Sequence, residues 1–230
     1  MEQIIVLDIE AQFRANKNPV HPVILIDERE MILVDTAFIG FLENIEKAFE
    51  SHNLKCGDLT KVIITHQDHD HMGSLAALKR KYPHIEVIAG ETEEPYISGK
   101  MKSARLLQAE ERQKHLPEEQ KTFGEAFINM LRNVEPCRVN TTVKGGDTFG
   151  WCGGCEIVDT PGHTPGHISL YLKKHKTVIT GDAACVENGK IGVANPIYTL
   201  DMERAKEDIE KLLNLPATTY ICFHGGIYKK

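Results

Sequence analysis

The sequence predicts a mixed α/β fold in which two β-sheets pack as a sandwich with helices on the outside. Three observations predict it. Short apolar, strand-like runs come in two groups along the chain. Each group is followed by segments whose apolar residues recur at helical spacing. No low-complexity linker or short repeat divides the 230 residues, so residues 1–230 read as one domain.

Taken in order, residues 4–9 open the chain as a strand. Val23–Ile26 and Met31–Val34 flank the polar stretch 27–30 and read as a hairpin. Phe41, Leu42, Ile45, Ala48 and Phe49 then lie on one helical face, which stops near Asn53. Residues 62–65 form a buried strand, 74–81 a helix and 85–89 another strand. The stretch from about 91 to 136 differs. It is charged, helix-prone and broken at Pro95 and Pro117, and it carries a stripe of Phe123, Ala126, Phe127, Met130 and Leu131. It reads as a helical insertion. Strands at 156–159, Ile168–Leu172 and 177–180 precede a helix over 201–213, which Pro216 ends, and a last strand at 219–223 leads into His224.

Composition narrows the function. Lys and Arg number 27 against 33 Asp and Glu, a formal charge of −6, which gives a phosphate backbone or an anionic membrane no electrostatic help. A nucleic-acid or membrane partner is therefore not expected. No apolar run approaches a bilayer span, and no export signal opens the chain, so a cytoplasmic location is expected. In that compartment the six cysteines read as reduced thiols. Cys152 and Cys155 form a C-x-x-C with no second pair to complete a zinc site, in a Gly-rich turn rather than at a helix start.

The chemistry concentrates at strand ends. Thr65-His66-Gln67-Asp68-His69-Asp70-His71-Met72-Gly73 puts five imidazole and carboxylate groups in six positions after an apolar strand. Alternation in an extended loop can point His66, Asp68 and Asp70 one way, with His71 turning in at the next helix. That much polarity is costly at the end of a buried strand unless something satisfies it, and a metal does. Downstream, two Pro-Gly turns hold His163 in Pro161-Gly162-His163-Thr164-Pro165-Gly166-His167. Strand 177–180 then delivers Gly181-Asp182, and the last strand delivers His224. Four segments share one pattern: an apolar strand, then a ligand-type residue, with small residues beside it.

These motifs resemble those of the metallo-β-lactamase superfamily, from Asp35-Thr36 to His224. The resemblance implies a four-layer αββα sandwich with two metal ions in a cleft at the sheet edges. It implies one ion held by His66, Asp68 and His163, the other by Asp70, His71 and His224, and Asp182 between them. His69 falls at the variable position of the pattern and is expected to face solvent or to support the ligands. His167 matches a histidine that does not bind metal. Asp68 departs from the pattern, standing where most of the superfamily has histidine. Zinc is the expected metal, and the carboxylate at position 68 brings iron or manganese into consideration.

The expected activity is hydrolysis of a small-molecule ester, lactone or thioester by a metal-bound hydroxide that Asp70 orients. The alternatives are a phosphodiesterase and a di-iron redox protein related to the flavodiiron proteins. Tyr198, between Asp182 and His224, is a candidate substrate contact. His21 reads as part of a surface turn, and His52, His84, His115 and His175 as surface residues.

Overall fold

The structure is a computed structural model that describes residues 2–13 and 16–230. The first half of the chain builds β1 (Gln3–Val6), β2 (Ile9–Phe13), β3 (Asn16–Val20), β4 (Val23–Ile26), β5 (Met31–Val34), α1 (Leu42–Ser51), β6 (Lys61–Ile64), α2 (Leu75–Lys81) and β7 (Glu86–Gly90). Helices α3 (Glu94–Ile97), α4 (Ala104–Gln113) and α5 (Glu118–Arg132) follow, then β8 (Thr141–Val143). The second half adds β9 (Thr148–Phe149), β10 (Cys155–Asp159), β11 (Ile168–Leu172), β12 (Thr177–Gly181), β13 (Cys185–Glu187), β14 (Lys190–Gly192), α6 (Met202–Leu213), β15 (Thr219–Cys222) and β16 (Gly226–Lys229).

Two six-stranded sheets result, in the orders β1-β4-β5-β6-β7-β8 and β16-β15-β12-β11-β10-β9. The pleat assigns each side chain to a layer, because neighbours along a strand face opposite ways. In β6, Val62 and Ile64 pack with Ile45 and Phe49 of α1 and Leu75 and Leu78 of α2, while Ile63 joins the layer between the sheets. In β11, Ile168, Leu170 and Leu172 face that middle layer, and Tyr171 packs outward with Leu212 of α6. The layers are therefore helix, sheet, sheet, helix, the expected αββα sandwich.

The helix ends follow local chemistry. Asp201 caps α6 by accepting the Arg204 N–H at 3.0 Å, and Ser103 accepts from the Leu106 N–H of α4. The parallel run β5-β6-β7-β8 matters most for function, since β5, β6 and β7 send their C-terminal ends to the same edge of the sheet. In the second sheet, parallel β12 and β15 do the same.

Two readings of the sequence are corrected. Residues 219–223 do not close the sheet: the chain turns at His224 and returns as β16, whose Gly226 pairs with Cys222. His21 is not in a surface turn but is buried at 9% exposure, its backbone N–H donating to Phe223 O at 3.0 Å. The turn carrying His224 thus rests on the His21 segment, with Val20 bridged to His224.

Candidate metal centre

The loop after β6 brings His66, Asp68, Asp70 and His71 to the sheet edge. His163 arrives from the β10–β11 loop, Asp182 from the end of β12 and His224 from the β15–β16 turn. Ligand atoms of His66, Asp68 and His163 lie within 4.8 Å of one another, as do those of Asp70, His71 and His224. Asp182 reaches both groups. Its Oδ1 is 3.2 Å from His71 Nε2, and its Oδ2 is 3.5 Å from both His163 Nε2 and His224 Nε2. Around them, His163 Nε2 is 3.2 Å from Asp68 Oδ2 and His224 Nε2 is 3.2 Å from Asp70 Oδ2. The side chain of His224 is 36% exposed against 0% for His66 and His71, so the cluster opens on the His224 side.

Buried polar atoms left without partners are costly and rare. Here His66 Nε2, His71 Nε2 and Asp182 Oδ1 are buried without a hydrogen bond, and all three point into the cluster. The charges lean the same way. Burial, then the nearby His71, pushes His66 down to about 4, leaving its lone pair free at neutral pH. Burial alone would hold His71 neutral, yet the carboxylates of Asp182, Asp35 and Asp70 raise it well above the usual histidine range. Burial likewise opposes ionisation of Asp182, but His224 and His71 outweigh it and hold its carboxyl well below the usual range. An acceptor-rich cavity that draws protons onto its imidazoles fits a cation, and this donor set of imidazoles and carboxylates suits a divalent one.

A second layer of contacts orients the donors. Asp35 sits at φ +65°, in the left-handed region that aspartate tolerates. From there its Oδ2 holds His71 Nδ1 at 2.8 Å, turning Nε2 inward, and its Oδ1 accepts the Thr65 N–H at 2.8 Å. His167 Nε2 accepts the backbone N–H of Asp182 at 2.9 Å, and its Nδ1 lies 2.8 Å from Thr160 Oγ1. Burial, with His66 and His163 close by, keeps His167 well below the usual range and hence neutral, as an acceptor must be. Gly181 makes this approach possible: a Cβ there would lie 2.6 Å from His167 Nε2. Glu93 ties loops from both sheets together. Its Oε2 accepts the Gln67 N–H at 2.8 Å, and its Oε1 accepts Thr164 Oγ1 at 2.8 Å and the Gly166 N–H at 2.9 Å.

Three further residues occupy places that motif and spacing do not predict. His69 is not solvent-facing. Its side chain is 16% exposed and its ring packs edge-on between Phe38 and Phe127, with centroids 5.7 and 5.6 Å away. Tyr198 is 40% exposed, 6.2 Å from the Phe127 ring and 5.6 Å from the Arg105 guanidinium carbon. Arg105 itself was missed by sequence reasoning. It is 1% exposed, and it grips Asp68 through Nε at 3.1 and 3.0 Å from the two oxygens and through Nη2 at 2.6 Å from Oδ2. Burial would raise the Asp68 carboxyl, but Arg105 first, with His163 and His66, holds it well below the usual carboxylate range. The one signal for Arg105 in the sequence is indirect: a carboxylate in a histidine's place needs a countercharge.

The C-x-x-C is not part of the site. Cys152 and Cys155 are buried free thiols, raised by burial to about 11 and about 12.

Comparison with known proteins agrees with this architecture. The chain is 29% identical over 171 residues to the uncharacterized protein YobT of Bacillus subtilis, covering 74% of this chain and 64% of that protein. It is 28% identical over 178 residues to the probable metallo-hydrolase YflN of the same organism, covering 73% of this chain and 64% of the relative. A hydroxyacylglutathione hydrolase of Buchnera aphidicola is 28% identical over 197 residues, covering 85% of this chain and 57% of that enzyme. The chain thus spans less than two thirds of the length of these curated relatives. Among solved structures, a metallo-beta-lactamase family protein of Thermus thermophilus superposes with a TM-score of 0.74 at 21% identity, covering 98% of this chain and 74% of the other. The family model for the metallo-beta-lactamase superfamily matches residues 17–224, and the chain belongs to that superfamily.

Proposed function

We propose that this chain is a metal-dependent hydrolase that cleaves a small-molecule ester, lactone or thioester with two divalent ions. The observation that carries the reading is the position of Asp182, whose two oxygens face both ligand groups. In this reading His66, Asp68 and His163 hold one ion, Asp70, His71 and His224 hold the other, and Asp182 is shared. When bound, such ions supply a water of lowered pKa and polarise the substrate's carbonyl. Zinc is the first candidate, and iron or manganese the others. Residues 1–230 are taken as one domain, with 91–136 as its insertion.

The chain's own residues divide the remaining work. Burial opposes ionisation of Asp70, but His69, His71 and His224 hold its carboxyl well below the usual range, and the carboxylate orients the attacking water on the open side of the cluster. Asp35 and His167 fix the directions of His71 and Asp182, so little reorganisation accompanies the reaction. The substrate's organic portion has a place to lie. A cavity of about 210 Å³ opens between α4, α5 and the Ile197–Tyr198 loop, lined by Leu116, Phe123, Phe127, Ile197 and Tyr198. Phe127 packs on His69 and Tyr198 on Arg105, so this cavity adjoins the cluster. Its lining mixes these apolar side chains with Gln108, Arg112 and Gln120, which suits an organic group carrying a polar or anionic end.

A panel of acyl esters, lactones, thioesters and one phosphodiester, assayed on chelated and metal-reconstituted protein, tests the proposal. Metal-dependent turnover of a carboxylic substrate is expected. Turnover of the phosphodiester alone would move the protein to the phosphodiesterase class. No turnover by fully loaded protein would overturn the hydrolase reading.

A further inference from the structure

Arg105 is a full positive charge built into a cluster that is otherwise read as a cation site. It lies at hydrogen-bond distance from two of the three donors in one ligand group: Nη2 is 2.6 Å from Asp68 Oδ2 and 3.3 Å from His163 Nε2. It cannot swing away freely. Its Nη1 donates to Gln108 Oε1, its guanidinium lies 5.6 Å from the Tyr198 ring centre, and α4 is anchored where Gln67 Oε1 accepts the Ala104 N–H at 2.7 Å. No guanidinium or ammonium among the described residues stands at ion-pair distance from the other ligand group, and Arg105 acts on Asp70 and Asp182 only from further away. Among the described residues, the ion pairs of Asp70 and Asp182 are all with imidazoles.

From this asymmetry we infer that Arg105 makes the two halves of the centre unequal. The Asp70–His71–His224 group takes its ion first and tightly. The His66–Asp68–His163 group takes the second ion weakly, because the guanidinium both occupies the Asp68 oxygens and repels a dication. Asp68 has lone pairs enough to serve Arg105 and an ion together, so the second site is weakened rather than abolished. Like charges a few ångströms apart interact strongly in a buried site, and the second step should be weaker by about a hundredfold or more. Arg105 is therefore a positioning residue that sets metal occupancy. The inference rests on the two-group ligand assignment above.

Calorimetric titration of the metal-free protein with Zn²⁺ reads this without reference to activity. The wild type is expected to show one tight and one weak step, His71→Ala losing the tight one and His163→Ala the weak one. Arg105→Met should tighten the weak step at least about tenfold and move the tight step far less, whereas Arg105→Lys, which keeps the charge, should leave it weak. Should Arg105→Met fail to fold, Arg105→Met combined with Asp68→His removes both charges together and must still tighten the second step. Two equally tight steps in the wild type, a weak step lost in His71→Ala instead of His163→Ala, or a weak step that ignores Arg105→Met in folded protein would each overturn the inference. A wild type that binds no metal would overturn the ligand assignment itself.

Discussion

The backbone N–H of Asp182 donates to Nε2 of His167 at 2.9 Å. One imidazole thus fixes the backbone from which the Asp182 carboxylate reaches both ligand groups. Replacing His167 with Ala leaves that buried N–H without an acceptor. The expected cost is about 1–3 kcal/mol of stability and a roughly 10–100-fold loss of metal affinity. Denaturant unfolding and metal titration check the two effects separately. Asp182→Ala should cost far more activity than His167→Ala.

Asp35 and His71 form the second such pair, at 2.8 Å. Asn tolerates the left-handed backbone at position 35 almost as well as Asp. Asp35→Asn should therefore keep the fold, shown by an unchanged far-UV spectrum, while removing the charge that orients His71. Metal affinity is expected to fall by about 10–100-fold.

Removing metal should destabilise the protein. Ligands that bind the folded state alone add about 2.7 kcal/mol at a hundredfold excess over Kd. In a chain of this size that corresponds to roughly 5–10 °C in melting temperature. A scan with and without chelator measures it, and adding metal back should restore the higher value.

Burial raises all six thiols, Cys56, Cys155 and Cys222 to about 12 and Cys152 and Cys185 to about 11, with Cys137 shifted in the same direction. At pH 8 almost no thiolate is present in the native state, because a raised pKa keeps the proton on sulfur. A thiol reagent should therefore modify the folded protein slowly and all six cysteines promptly in denaturant. Fast native labelling of Cys152 or Cys155 would show that pair to be reactive.

Three of the candidate ligands were legible because each follows a run of apolar residues that reads as a buried strand: 62–64 before His66, 177–180 before Asp182, 219–223 before His224. Sequence order alone places such residues at strand ends. Arg105 was not legible, since Ala104–Gln113 reads as an ordinary charged helix and only its packing against the β6 loop buries that side chain. His21 was misread for a related reason: Pro19 and Pro22 signal a turn, but the cover comes from the Phe223–His224 turn and from Gly226 at the start of β16, a strand that no apolar run announces. The hairpin of β2 and β3 was missed because Asn16, Lys17, Asn18 and Pro19 are poor strand formers.

Glu93 receives donors from Gln67 on one side and from Thr164 and Gly166 on the other. Those partners come from loops of different sheets, and Asp68 and His163 are themselves 95 positions apart in the chain. Closing so long a loop costs entropy that no single half of the chain can recover alone. The His66–Asp68–His163 group is therefore complete only once the two halves have docked, and Glu93 ties together the same two loops that carry it. An ion held there would act on the folding clock as well as on a substrate: it would slow the parting of the two sheets, the last contact made being the first that must be undone.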